Sequence, residues 1–219
     1  MCRFLVLRSA EGFDPSPMVD SFRERCRRST EFQGHGFGMA LRASGRWERY
    51  RTLTPIWEDS RPLPRRVEVL VVHARSAFRN EGIDVLNNMP FYREDLCFVF
   101  NGEIRGVRLK AEGRIGAEKI FNLIVEQEAG LPEALAATDR LVRSRSRYVR
   151  AMNVALTDGS AIYAHCRFAE RPDYFTLHYR EGDVGRLGRL GRLGMLSGVS
   201  SEPLDESFRP MANGETRVL

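Results

Sequence analysis

Apolar residues along this chain collect into strand-length runs separated by glycine, proline and charge, and in three places they fall at helical spacing instead. The first run follows Met1-Cys2-Arg3 as Phe4-Leu5-Val6-Leu7 and is β-prone, and Asp14-Pro15-Ser16-Pro17 breaks the segment. Residues 17–28 then read as a helix with Met18, Phe22 and Cys26 on one face and arginines on the other. A glycine-punctuated strand over 34–41 turns through Ser44-Gly45 into Trp47-Glu48-Arg49-Tyr50, a hairpin. Residues 67–73 and 96–100 are unbroken apolar runs, the pattern of strands covered on both faces. Helices are predicted over 117–128, where Ile120, Phe121 and Ile124 share a face, and over 132–142. Strands at 152–156 and 161–165 flank Asp158-Gly159, a tight-turn pair, and two more are expected at 174–179 and 195–200. Runs of strands around two adjacent helices, with a third helix near the front, predict layered α and β rather than alternating βαβ units.

With 219 residues, 42% of them hydrophobic, the chain can bury a full core, and 1–219 is read as one domain. Cys2, Cys26, Cys97 and Cys166 are far apart, with no C-x-x-C pair and no histidine spacing that would hold zinc, so free thiols and no metal are expected. The first apolar run ends at Arg8, too short for a signal-peptide core, and no stretch is long enough to span a bilayer. A cytoplasmic protein with no membrane partner is the expectation. The net charge of +5 is carried almost wholly by arginine, yet acids interleave in Arg23-Glu24-Arg25 and Arg93-Glu94-Asp95, which predicts a mixed surface. Two segments are one-sided: 140–150, with five arginines, and the Arg-Leu-Gly repeat of 185–194, whose glycine at every third place rules out a stable helix and predicts a flexible loop. No aromatic platform or groove-reading motif accompanies them, so an arginine-rich nucleic-acid binder is the weakest of the functional readings.

Chemistry concentrates at Cys2. Removal of Met1 would leave a thiol and a free α-amine on one residue, the amine with a reference pKa of roughly 7.7–8.0. Such a residue is a nucleophile carrying its own proton relay. A cysteine at the head of a strand is otherwise a small buried hydrophobe.

Further segments line up with Met1-Cys2-Arg3: Val72-His73-Ala74-Arg75-Ser76-Ala77, then Asn87-Asn88-Met89-Pro90-Phe91, then Phe100-Asn101-Gly102-Glu103-Ile104, and finally Ser200-Ser201-Glu202-Pro203-Leu204 with Asn213-Gly214-Glu215 near the end. In order and spacing they resemble class II glutamine amidotransferases of the small stand-alone kind, N-terminal-nucleophile (Ntn) hydrolases with a catalytic cysteine at the processed N-terminus. The resemblance implies an α+β fold, a four-layer αββα sandwich of two mostly antiparallel sheets between helical layers, and no organic cofactor. It implies that Cys2 attacks a carboxamide to give a thioester, with the oxyanion held by the Asn101 side chain and the Gly102 N–H. The missing Cβ at Gly102 would let the main chain approach the substrate. Arg75 would fork onto a substrate carboxylate, with Ser76 beside it. Taken alone, Asn101-Gly102 also reads as an ordinary hairpin turn, Arg75 as half of an internal salt bridge, and His73 as a core histidine without a catalytic role.

Two positions depart from the family pattern. Glycines 34, 36 and 38 resemble its Asp-Gly-x-Gly stretch, but His35 stands for the acid. At the head of the helix, Gly116 occupies the place of the aspartate that binds the α-ammonium of glutamine, while Glu118 matches the family's glutamate and suits a helix N-terminus. Free glutamine is therefore expected to bind weakly. The expected substrate is a small molecule, glutamine or another γ-glutamyl amide, and the ammonia acceptor would be a separate synthase subunit or none. The alternative on the same fold is a binding or regulatory module with weak or no turnover.

Overall fold

The computed structural model describes residues 1–182 and 195–219; the repeat at 185–194 lies outside the described residues. Chain order is β1 (Arg3–Phe13), α1 (Ser16–Arg28), β2 (Phe37–Ala43), β3 (Arg46–Thr52), β4 (Val67–Ala74), β5 (Phe91–Arg93), β6 (Leu96–Val107), α2 (Gly116–Val125), α3 (Leu131–Arg145), β7 (Ser146–Thr157), β8 (Ile162–His165), α4 (Pro172–Phe175), β9 (His178–Arg180), β10 (Ser197–Ser200), β11 (Arg209–Pro210) and β12 (Thr216–Val218). Among the described residues they form a sheet ordered β11-β9-β10-β1-β4-β2-β3 and a second ordered β12-β8-β7-β6-β5. Every pairing of neighbours is antiparallel.

The two sheets stack, and helices cover their outer faces, giving the αββα layering. Along β1, Leu5 and Leu7 face α1, packing with its Met18, Val19, Phe22 and Cys26, while Phe4 and Val6 join the core shared with the second sheet. β4 divides in the same way, Leu70 and Val72 on the α1 side and Val69 and Val71 between the sheets. Burial on both faces is why these strands read as unbroken apolar runs. On the far side α2 buries Ile120, Phe121 and Ile124, and the Phe121 ring stacks on Phe98 of β6 with centroids 4.9 Å apart. None of the described helices is long and apolar enough to cross a membrane.

One expected element comes out differently, and one competing reading is removed. Residues 174–179 do not form one strand: Pro172 starts the short helix α4, whose Tyr174 and Phe175 are buried, and the strand begins only at His178. Asn101-Gly102 is no turn, because the run that starts at Leu96 continues to Val107 and pairs with β7 throughout, Asn101 opposite Asn153. An Asn-Gly pair inside a strand supplies side-chain and backbone donors where hairpin chemistry would supply a bend.

The β1 start is held by Arg3, whose buried guanidinium donates to the carbonyls of Ser201 at 2.7 Å and Tyr174 at 3.1 Å, pairs with Glu202 at 3.2 Å and lies 3.8 Å from the centre of the Tyr174 ring. The Ser201 hydroxyl accepts the Phe4 N–H at 2.9 Å. Thus Ser200-Ser201-Glu202, near the end of the chain, fixes its beginning.

At the opposite face α3 is tied to the second sheet through Asp139, which accepts from Arg143 at 3.1 Å and Arg167 at 3.0 Å and has His165 Nε2 3.7 Å away. Burial pushes the Asp139 carboxyl up, but His165 and Arg167 outweigh it and lower its pKa to about 2. A carboxylate whose folded pKa lies below its unfolded value adds stability above the unfolded pKa and loses it as pH falls through the folded one. We therefore expect about 2 kcal/mol to vanish between roughly pH 4 and pH 2. Asp139→Asn should flatten that part of the urea-midpoint-against-pH curve, and an unchanged curve would disprove the linkage.

Candidate active site

The β1–β4 register, Arg3 opposite Ala74, carries Cys2 alongside Arg75 and Ser76. The Ser76 N–H points at Cys2 Sγ from 3.4 Å, and Sγ in turn faces the Ser76 carbonyl at 3.6 Å. Burial raises the Cys2 thiol above its ordinary value, opposed by the charged chain terminus, the Ser76 N–H and Arg75. Cys2 borders a cavity of about 900 Å³ that Arg75, Ser76, Gly102, Gly116 and Arg150 also line. Of the seven sequence-predicted positions, Cys2, Arg75, Ser76, Gly102 and Gly116 line the cavity, and Asn101 and Glu118 do not.

Arg75 is buried, and no carboxylate among the described residues pairs with it. Its guanidinium donates to the carbonyls of Gly82 at 2.7 Å and Asp84 at 3.2 Å and to Asn88 Oδ1 at 3.3 Å. The internal salt bridge is thereby excluded. Neutral oxygens orient the fork, and the Asp84 charge acts on it only from beyond ion-pair distance. Asn88, itself fully buried, is held by its Nδ2 donating to the Thr52 carbonyl at 2.7 Å.

Asn101 Nδ2 donates to the carbonyl oxygen of Cys2, so its donor rests on the main chain of Cys2. Its Oδ1 accepts from Asn153 Nδ2 at 3.3 Å, and Asn153 is pinned by the Phe175 carbonyl at 2.6 Å and the Arg167 N–H at 2.9 Å. The amide orientation of Asn101 is thus set by two further buried polar contacts. At Gly102 a Cβ would collide with the Ala151 carbonyl on β7. Close strand approach demands the glycine, whatever its N–H does for a ligand.

Gly116 is the first residue of α2, and a Cβ built on it meets nothing within 4 Å. Glu118 turns away from the cavity to Arg114, accepting from its backbone N–H at 2.6 Å and from Nη2 at 2.7 Å, bonds that hold the carboxyl below its usual range. It closes the first helical turn. His35 occupies the acid's place as an acceptor, its Nδ1 taking the Ala77 N–H at 2.8 Å. Burial, Arg75 and the chain terminus lower its pKa and so favour the neutral, accepting ring. His73 is buried and held at about 3 by burial and Arg75, with neither ring nitrogen hydrogen-bonded among the described residues.

Sequence reasoning missed the residues around the chain start. The Met1 ammonium donates to Glu31 Oε2 at 2.9 Å and Ser76 Oγ at 3.1 Å. The Met1 carbonyl accepts from Gln33 Nε2 at 2.5 Å and the Tyr174 hydroxyl at 2.7 Å. Glu31 and Gln33 sit in a loop with no periodicity to mark them. Asn153 did leave a signal, a polar residue inside the apolar run Met152-Asn153-Val154.

This arrangement has counterparts among solved structures. Over 99% of its length the chain superposes on a glutamine aminotransferase class-II domain protein from Silicibacter pomeroyi (TM-score 0.62, 16% identity, 94% of that chain). It also matches a glutamine phosphoribosylpyrophosphate amidotransferase from B. subtilis (TM-score 0.67, 12% identity), of which it spans 47%, again over 99% of its own length. A predicted glutamine amidotransferase from Pseudomonas aeruginosa aligns over the whole chain (TM-score 0.58, 15% identity, 93% of that chain). No protein-family model and no curated protein sequence matches the chain. The fold is that of the class-II glutamine amidotransferase domains, Ntn in type, as the sequence motifs implied.

The four thiols differ in access. Cys26, Cys97 and Cys166 are buried, and burial pushes Cys97 up to about 12 and Cys166 to about 11, whereas Cys2 is only half-buried. Brief iodoacetamide treatment of native protein at mild alkaline pH should alkylate Cys2 alone. Peptide mass mapping that finds Cys26, Cys97 or Cys166 modified as fast would contradict the geometry.

Proposed function

We propose that this protein, once it begins at Cys2, is an amidohydrolase that cleaves the side-chain amide of glutamine or another γ-glutamyl amide through a Cys2 thioester. The observation that carries the reading is the cavity itself. It brings together a thiol oriented by the Ser76 N–H, an arginine with no internal carboxylate, and the Gly102 backbone. Those are the needs of attack on a carboxamide that also bears a carboxylate.

In the proposed sequence Sγ attacks the amide carbon, the α-amine of Cys2 takes the thiol proton and delivers it to the departing nitrogen, and water then hydrolyses the thioester. Developing negative charge on the carbonyl oxygen is met by the Gly102 N–H and by Asn101, whose amide exchanges the Cys2 carbonyl for the oxyanion. Arg75 holds the substrate carboxylate from outside the reaction. The released ammonia goes to solvent or to a separate synthase subunit.

Intact mass should show the active protein starting at Cys2, and Cys2→Ala should abolish amide hydrolysis while leaving the thermal midpoint within a few degrees. Diazo-oxo-norleucine should label Cys2. Full activity in protein that retains Met1 would remove the α-amine from the mechanism.

Asn101→Ala should lower kcat by a factor on the order of a hundred or more with little change in KM, since its donor matters as charge develops. Arg75→Lys should chiefly raise KM, because a point charge replaces a fork. The reverse pattern in steady-state kinetics would exchange their roles.

A further inference from the structure

The head of α2 offers no carboxylate to a substrate amine, yet the cavity already holds an ammonium group: that of Met1, on Glu31 and Ser76. Ser76 therefore faces two ways, its backbone N–H on Cys2 Sγ at 3.4 Å and its hydroxyl on an ammonium at 3.1 Å. An amine bound there and the Cys2 sulfur are therefore contacted by one and the same residue.

We propose that Glu31 and the Ser76 hydroxyl form the subsite for the substrate's α-ammonium, which Met1 fills until it is removed. This rests on the amidohydrolase reading. Hydrolysis of the Met1–Cys2 peptide bond consumes one water, frees the Cys2 amine and takes away the ammonium that Glu31 now binds. Of the other acids, Glu103 is committed to Arg105 and to Arg150 at 3.3 Å and Glu118 to Arg114, while Glu81 lines the cavity with no ion pair among the described residues but is not the acid that the Met1 ammonium contacts. Glu31 keeps only Arg150, more distant at 3.9 Å.

The new Cys2 amine has a separate seat. Gln33 Nε2 and the Tyr174 hydroxyl, which now bind the Met1 carbonyl, adjoin the position where that amine appears, and Gln33 Oε1 is buried with no partner among the described residues. Reversal of the Gln33 amide gives the amine its acceptor. The Glu31–Ser76 pair is left for a ligand, and the chain that retains Met1 is blocked by its own terminus.

The test uses protein shown by mass to begin at Cys2 and two amides, glutamine and glutaric acid monoamide, which is glutamine without its α-amine. Glu31→Gln and Ser76→Ala should each lower the glutamine-to-monoamide ratio of kcat/KM roughly tenfold. Ser76→Ala keeps the backbone contact to Sγ. Equal losses on both amides, or a shifted pH profile of kcat, would mean that Glu31 serves the Cys2 amine and would overturn the proposal, as would an unchanged ratio. Calorimetry with Cys2→Ala protein beginning at residue 2 separates the two readings. Glutamine binding roughly tenfold tighter than the monoamide sustains the subsite even without turnover, and equal or absent binding refutes it. Wild-type protein that hydrolyses no amide would instead end the amidohydrolase reading.

Discussion

The buried guanidinium of Arg3 is the interaction on which the rest of the structure depends. A cation taken out of water is tolerated only when it is paired and hydrogen-bonded, and here its partners come from two distant parts of the chain: the Tyr174 carbonyl, and the adjacent Ser201 carbonyl and Glu202 carboxylate. Satisfying one charge therefore fastens the first strand to α4 and to the segment after β10. The residue before it has nowhere else to go. Cys2 is presented at the end of a strand whose every neighbour is fixed, so its thiol can be aimed without a loop of its own.

That rigidity continues through a layer of uncharged polar contacts. Asn88 sets Arg75, Asn153 sets Asn101, His35 receives the Ala77 N–H, and each setting residue is itself held by a backbone group. Amides and a neutral imidazole orient without adding charge. The cavity's charge balance is consequently left to the ionised side chains that line it, Arg75, Arg79, Arg105, Arg114, Lys119 and Arg150 against Glu31, Glu81 and Glu103.

Much of this was legible in the sequence where one residue type has one physical use. Cys2, Arg75, Ser76, Gly102 and Gly116 were all named from motif and spacing, and they share one cavity. The αββα layering followed from the same motifs, since apolar runs such as 67–73 mark buried strands without saying which sheet they join. What stayed hidden depended on partners far apart in sequence. Asn101-Gly102 carries the residues of a turn, and only its pairing with β7 makes it strand. Tyr174 and Phe175 look β-prone, but Pro172 and the pocket beneath Met1 turn them into a helical cap. At Gly102 the pairing with β7 adds a reason for the missing Cβ that the motif did not carry, because the Ala151 carbonyl would exclude it.

The bond from Asn101 to the Cys2 carbonyl has a consequence for how catalytic advantage accumulates. A donor waiting in a dry site would suffer desolvation with nothing to show for it until the reaction began. Here it is sheltered in the resting chain by an uncharged acceptor. On the proposed mechanism the transition state does not gain a hydrogen bond; it trades a weak one for a charge-assisted one, and only the difference accelerates the reaction. Such a site is stable while idle and gives up part of its maximum rate in return, so any change that pulls the Cys2 carbonyl away should loosen the fold and sharpen the catalyst together.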